Sequence, residues 1–420
     1  MKVLVIGGSG KEHALVWKLS QSRHIDKIYC CPGNAGIAEI AECIDVSPRD
    51  FHALIDFVKY EWIDLTIIGD EEQSSNGIAD IFEREGCKVF GANKISAQLR
   101  SSRVAAKNLL KFHGILMPEY KIFTSYILAK DYIRLKGAPI VIKTDSAFAE
   151  NSIYIAFSVD EALRILRSVM KERILGDAGK KIILEEYLNG QEATLTFLAD
   201  GKSVRPFASL YKYFRFSDSD ADQMAAGIGA YCPLHLEQTA LERIHKIIGL
   251  FSRALKAEGI QYKGICSLDL IITDRPYVVD VNTCIGELEA QTILPRLKTD
   301  FIDIASAIIK SNINDLDIEW NKKASVSVVL YSEDVVANSQ RSFVITGLEK
   351  VRTMLDTFLF HNNTKFQNGD IITYGGRVMS ITATGDRVED AKTRTYKAIE
   401  EIGFEKMHYR KDIGDIKEIA

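Results

Sequence analysis

Val278-Val-Asp-Val-Asn-Thr-Cys-Ile-Gly286 follows Ser267-Leu-Asp-Leu-Ile-Ile-Thr-Asp-Arg-Pro276, and the two runs read together as a β-hairpin. Apolar, largely β-branched residues flank a polar turn, the pattern of two paired strands. Side chains alternate across a strand, so Asp280 and Asn282 share one face, with Asp269 on the partner strand. Three oxygen ligands converging across a hairpin suit a hard cation. Mg²⁺ (or Mn²⁺) is held by few carboxylates together with substrate phosphates. A solvated acidic strand face is the plainer alternative.

A chain of 420 residues has room for roughly two to four domains. At 46% hydrophobic and 26% charged, its composition is that of an ordinary globular protein. The net charge is −4 with no long block of either sign, so nucleic acid is not expected as a partner. No apolar run reaches the length of a membrane span, so no membrane association is expected. Met1-Lys-Val-Leu-Val-Ile-Gly7 is too short for a signal peptide and reads as a buried first strand. None of the seven cysteines has C-x-x-C spacing, which fits a reduced, cytoplasmic protein. The vicinal Cys30 and Cys31 read as strand-end residues rather than a redox pair.

The first hundred residues alternate strand and helix: strands at 2–6, 27–31, 65–68 and 88–90, helices at 12–19, 51–61 and 77–85. That order predicts an α/β, doubly wound parallel sheet with ligands at the strands' carboxyl ends. Gly7, Gly8 and Gly10 lie at one such end, where backbone N–H groups opening a helix can cradle a phosphate. Gly69-Asp-Glu71 lies at another. The third glycine of a dinucleotide fingerprint is missing, which disfavours a nicotinamide cofactor. A helical pattern runs from Ser101 towards Gly114. A second α+β unit places Lys143 at the end of a strand, a helix over 159–169, and a strand from Lys181 into the turn before Glu192. Strands at 193–198 and 203–208 flank a hairpin turn at Asp200-Gly201. A long amphipathic helix spans 236–256. The polar segment 312–324 reads as a linker, and a strand over 325–331 opens the last hundred residues.

Taken together, VLVIGGSGKEHAL at 3–15, PGNAG at 32–36, FGANKISAQLRSSRVAAK at 90–107 and GAPIVIKTD at 137–145 resemble the glycinamide ribonucleotide synthetase (phosphoribosylamine–glycine ligase) family of the ATP-grasp superfamily. LEEYLNGQEAT at 184–194, GIGAY at 227–231, LPRLKTD at 294–300, GGRVMSITATG at 375–385 and HYRKDIG at 408–414 extend the resemblance over the whole chain. It implies an ATP-grasp fold with an N-terminal pre-ATP-grasp α/β domain over 1–102. The ATP-grasp domain would span 103–320, with a smaller lid at about 122–190, and a C-terminal α+β domain 321–420. It implies ATP and Mg²⁺ as cofactors, an amino acid and a phosphorylated amine as substrates, and a monomer or homodimer. By similarity Lys107 and Lys143 reach the phosphates, as compact ammonium charges do. Glu185, Glu186 and Leu188 lie on the adenine-holding hinge, and Glu192 meets the ribose. Asp280 and Asn282 fall on the Glu-x-Asn metal positions. Gly8, Gly10 and Glu71 face the phosphorylated acceptor, and Arg215 is the catalytic position.

Departures from the family cluster where chemistry is expected. The glycine-rich loop after the lysine reads Asp145-Ser-Ala-Phe-Ala-Glu-Asn-Ser-Ile153, which removes the close backbone approach glycine permits and brings in Glu150. The Asp-His-Lys-Arg stretch is Lys212-Tyr-Phe-Arg215. The Gly-Pro-Asn-Thr-Gly-Gly-Met-Gly loop is Asp222-Gln-Met-Ala-Ala-Gly-Ile-Gly229. The family's Asn-Cys-Arg-Phe-Gly-Asp-Pro-Glu is Asn282-Thr-Cys-Ile-Gly-Glu-Leu-Glu289, so its arginine is lost. Asp269 stands where the family has a small residue, a position at which many other ATP-grasp ligases carry a metal carboxylate. Three readings stay open at this level: a divergent glycine ligase working through an acyl phosphate, an ATP-grasp ligase with changed substrates, and a non-catalytic nucleotide-binding relative.

Overall fold

Val3, Leu4, Val5 and Ile6 of the first strand, Lys2–Gly7, are completely buried. The computed structural model describes residues 1–146, 148, 152–215, 224–234, 236–332 and 342–415, with the backbone alone at 215 and 224–226. Alternation sends Val3 and Val5 towards the helix Gly10–Leu19, and Leu4 and Ile6 towards the helices Phe51–Tyr60 and Ile78–Arg84. Each such side chain contributes about 1.5–3 kcal/mol by burial. A strand apolar on both faces requires helices on both sides, as in a parallel sheet. The spatial order is Glu42–Cys43, Lys27–Pro32, Lys2–Gly7, Leu65–Ile68 and Val89–Phe90, all parallel. Connections run opposite ways from the adjacent strands Lys2–Gly7 and Leu65–Ile68. The crevice of a doubly wound sheet therefore opens beyond their carboxyl ends, at Gly7–Gly10 and Gly69–Glu71.

A four-stranded antiparallel sheet follows, ordered Tyr120–Phe123, Ile182–Glu186, Ile140–Thr144 and Ile153–Ala156. Ala129 and Ile133 of the helix Tyr126–Lys136, and Ala162, Leu166 and Val169 of the helix Val159–Met170, close one core with it. The chain leaves this sheet at Glu186 and enters a larger antiparallel one at Gln191, so residues 187–190 bridge the two.

The larger sheet runs Pro276–Asn282, Lys263–Ile272, Gln191–Asp200, Val204–Arg215, Met224–Cys232, Ala324–Ser332, Arg377–Gly385 and Thr357–His361, with Met407–His408 also paired to Ala324–Ser332. Gly229 faces Val328 in register, so the C-terminal strands continue the central sheet. The PGNAG turn joins this sheet to the N-terminal one. Asn34 Nδ2 donates to the Gly8 and His361 carbonyls, both at 2.9 Å, and Gly33 N–H to Gly7 O at 3.3 Å.

Two expectations change. The helix expected from Ser101 runs Arg103–Phe112, and an unexpected helix, Lys94–Ser101, precedes it across a break at Ser102. The Ser102 hydroxyl accepts from Ala105 N–H and donates to Asp145, whose carboxylate also accepts from Val104 N–H at 2.9 Å. A cap of this kind ends one helix and starts another. The expected linker at 312–324 is packed: Ile313 is fully buried, its N–H bonds Asp200, and Trp320 bridges to Leu297. An apolar residue every few positions in a polar stretch supplied those anchors.

Candidate active site

The hairpin brings Asp269, Asp280 and Asn282 together, Asp269 standing opposite Asp280 and Ser267 opposite Asn282. Asn282 Nδ2 donates to Asp269 Oδ2 at 3.0 Å and to Ser267 Oγ at 3.1 Å. Asp269 Oδ1 accepts from the Thr194 hydroxyl at 2.6 Å and lies 2.8 Å from Lys212 Nζ. Lys212 also bonds Glu289 at 2.8 Å. Burial alone would depress the Lys212 pKa, but Asp269 and Glu289 outweigh it and raise it above the ordinary lysine range. Asp280 Oδ2 faces Arg103 Nε at 3.2 Å and Arg100 Nη1 at 3.5 Å, and Oδ1 accepts from Val281 N–H at 3.0 Å. Burial would push Asp280 up, yet Arg103, Arg100 and Lys143 hold it well below the usual carboxylate range. The three residues converge as expected. Both carboxylates, however, are already engaged at every oxygen, and Asn282 turns its amide NH₂ towards Asp269. As arranged, this donor set does not fit a divalent ion, which needs several free oxygens in octahedral array.

Lys107 and Lys143 flank the buried carboxylate of Glu185, at 2.8 and 2.9 Å respectively. The Lys107 contact is an ion pair without hydrogen-bond geometry at Glu185 Oε1. Lys143 Nζ also donates to the Val279 carbonyl at 2.8 Å, which ties the small sheet to the hairpin. Burial would raise the Glu185 pKa, but Lys143 and Lys107 lower it. Burial lowers Lys107, with Glu185 offsetting only part. A buried ion-pair triad beside the hairpin suits a polyphosphate, because ammonium groups keep donors beyond those spent on the carboxylate. Glu186 is exposed, and its carboxylate accepts from Glu119 N–H at 2.8 Å. Leu188 lies in the connection between the sheets, beyond the ladder, and Glu192 on the strand after it. A planar base fits such a crossing, where backbone groups leave their strands.

At the switch point, Ser9 and Glu12 form a capping box that opens the helix Gly10–Leu19. A Cβ on Gly8 would lie 2.6 Å from the Gly33 carbonyl oxygen, and one on Gly10 2.4 Å from Gln291 Nε2. Chain packing therefore already requires glycine at position 8, where the obstacle is backbone, while at position 10 it is the end of a side chain. Lys11 Nζ lies 3.7 Å from Glu71 and 3.5 Å from Cys284 Sγ, while Arg100 Nε bonds Glu71 at 3.1 Å. Burial would raise Glu71, but Arg100 and Lys11 bring it down to about 2. Arg100 thus joins Glu71 to Asp280, and the residues at the switch point and on the hairpin form one charge network.

Sequence reasoning missed Arg100, Arg103 and Glu289. Arg103 is buried and links the Thr144 carbonyl, the Ser152 hydroxyl and Asp280. The available signal was compensation: a lysine gained at 212 and a carboxylate gained at 269. Tyr213 also departs from the family for a visible reason, since its hydroxyl accepts from Gly414 N–H at 3.1 Å and fastens the chain's end. The Arg215 side chain, Glu150 and Asp222-Gln223 lie outside the described residues.

Three family domains match in chain order: the phosphoribosylglycinamide synthetase N domain over residues 1–100, its ATP-grasp (A) domain over 101–290 and its C domain over 325–416. The chain belongs to the phosphoribosylglycinamide synthetase family. It is 38% identical over 416 residues to a phosphoribosylamine–glycine ligase of Caldanaerobacter subterraneus, covering 98% of this chain and 99% of that one. It is 35% identical to the ligase of that name from Escherichia coli, covering 99% and 98%. In structure it resembles a phosphoribosylamine–glycine ligase of Thermotoga maritima, with TM-score 0.82 and 22% identity over 98% of this chain and all of that one. A biotin carboxylase domain from Hydrogenobacter thermophilus shares the fold at TM-score 0.74 and 17% identity, over 97% and 91% of the two chains. No helix among the described residues is long and apolar enough to cross a membrane.

Proposed function

We propose that this chain is an ATP-dependent carboxylate–amine ligase that joins glycine to phosphoribosylamine, giving glycinamide ribonucleotide, ADP and phosphate in purine biosynthesis. The observation that carries this is the Lys107–Glu185–Lys143 triad between the two sheets, in a chain that matches the family along its length. Lys107 and Lys143 receive the phosphates. Residues 187–190 hold the base, with Leu188 against it and Glu186 beside it, and Glu192 meets the ribose. A carboxylate oxygen of glycine attacks the terminal phosphorus and ADP leaves. The acceptor nitrogen, held at Gly8, Gly10 and Glu71, then attacks the acyl carbon. Phosphate departs and the nitrogen loses a proton. Fixed positive charge stabilises the oxyanions of both steps, so no side-chain nucleophile is required. Arg215 is the proposed anchor for developing charge on the amino-acid side. Coupled ADP release with glycine and phosphoribosylamine tests the reading. Release that needs both substrates supports it, and none at millimolar substrate overturns it.

A second reading keeps the chemistry and changes the substrate. It is favoured by Lys212, which is spent on Asp269 and Glu289 where the family has an aspartate. ADP release with another amino acid or amine, but not with glycine and phosphoribosylamine, would establish it.

A further inference from the structure

We propose that the nucleotide polyphosphate binds this chain as the free anion, its charge met by the built-in cations Lys107 and Arg100 in place of a divalent ion. The proposal rests on the nucleotide-binding reading above. On the hairpin and the helix after it, Asp274 pairs with Arg275 in the turn at 3.1 Å and Glu287 with Arg377 at 2.9 Å, which leaves Asp269, Asp280 and Glu289. Each already faces a fixed cation: Lys212 at 2.8 Å from both Asp269 and Glu289, Arg103 at 3.2 Å from Asp280, and Arg100 at 3.5 Å. These three carboxylates thus face three cations before any ligand arrives, and Arg100 also holds Glu71 at 3.1 Å. On Asp269 and Asp280 the remaining acceptor positions are filled from within, by the Thr194 hydroxyl, the Asn282 amide and the Val281 N–H.

A divalent ion entering here would have to displace a guanidinium or an ammonium from its carboxylate. It would then sit among like charges, with Lys143 bonded to the Val279 carbonyl one residue before Asp280. The displaced cation has nowhere better to go. Arg103 is buried and bound on its other nitrogens to the Thr144 carbonyl and the Ser152 hydroxyl. Lys212 is equally buried. A polyanion meets the opposite situation. Lys107 has one described carboxylate partner, and Arg100, whose Nε and Nη1 bond Glu71 and Asp280, keeps its third guanidinium nitrogen, so both have donors to spare. Cations already built into a low-dielectric site act on a phosphate without the reorganisation a mobile ion requires.

Calorimetry of the full chain with ATP, in EDTA and in excess Mg²⁺, tests this directly. The expected result is affinities within about threefold of each other. Tenfold or tighter binding with Mg²⁺ overturns the proposal. Absence of binding in both solutions overturns the nucleotide-binding reading itself, and this inference with it. Asp280→Asn, near-isosteric and checked for folding by circular dichroism, gives an independent arm. It frees the guanidinium groups of Arg100 and Arg103, so ATP should bind in EDTA as tightly as before or tighter. A tenfold loss confined to the Mg²⁺ solution would make Asp280 a metal ligand instead. Water-proton relaxation with Mn²⁺ and ATP provides a further readout. No enhancement beyond that of the Mn²⁺–ATP solution is expected on adding protein, and a clear enhancement counts against the proposal.

Discussion

One ammonium, that of Lys143, bonds both the Glu185 carboxylate at 2.9 Å and the Val279 carbonyl at 2.8 Å, so a single side chain couples the four-stranded sheet to the hairpin. Replacing it by methionine keeps the stem and removes the charge. Breaking a buried pair costs about 3 kcal/mol or more when the partner is stranded. Lys143→Met is expected to lose stability of that order and to weaken ATP binding at least tenfold. Urea denaturation showing a loss below about 1 kcal/mol would mean that Lys107 alone satisfies Glu185.

The glycine-rich turn makes a different demand. Gly8→Ala places a methyl 2.6 Å from the Gly33 carbonyl, a backbone atom that cannot swing aside. Overpacking of this kind costs about 1–3 kcal/mol. The variant should melt at a lower temperature while its affinity for ATP stays unchanged. A variant as stable as the parent would show slack in the turn and leave ligand approach as the reason for glycine.

Glu71 sets an acid window. Its folded pKa of about 2 lies below the ordinary 4.5, because Arg100 and Lys11 outweigh burial. The unfolded chain takes up this proton first as pH falls. The stabilisation is therefore fully present above about pH 4.5 and lost as pH drops towards 2, on the order of 3 kcal/mol in total. Denaturation of the parent and Glu71→Gln at pH 5 and pH 3 should show the smaller pH effect in the variant. Equal slopes would remove Glu71 from the acid response.

His13 and His361 set a second window, nearer neutrality. His361 N–H donates to His13 Nδ1 at 2.8 Å, and both rings are buried between the N-terminal helix and the large sheet's edge. Burial pushes His361 down to about 3 and His13 well below its ordinary value. Unfolding lets both rings take up protons below about pH 6.5, so stability falls steadily as pH drops from there towards 3. Histidine Cε1–H resonances of the folded protein should not shift for these rings down to about pH 4. His361→Phe should reduce the slope of stability against pH between 6 and 4 by about one proton. An unchanged slope would place the uptake elsewhere.

The hairpin and the parallel sheet were legible because each is local: period-two alternation over 267–282, and strand–helix alternation over 1–90. The pairing of Lys212 with Asp269 was not. Thr194 stands directly opposite Asp269 on the strand between them, so the lysine reaches across two strand spacings. Neighbouring strands lie about 4.8 Å apart, and only a long side chain spans that twice. Contacts of that kind depend on strand order, which periodicity does not carry. The same holds for Arg103, whose partners come from the small sheet and from the hairpin at once.

The unbroken sheet also constrains how the chain is made. Met224–Cys232 finds its outer neighbour only in Ala324–Ser332, which in turn needs Arg377–Gly385. During synthesis the first of these strands waits, with its hydrogen-bonding edge open, for roughly a hundred residues at about 5–20 residues per second. An open edge is a template for another chain. A fragment ending near residue 320 is therefore expected to self-associate, and the C-terminal quarter serves as the protein's own guard against aggregation.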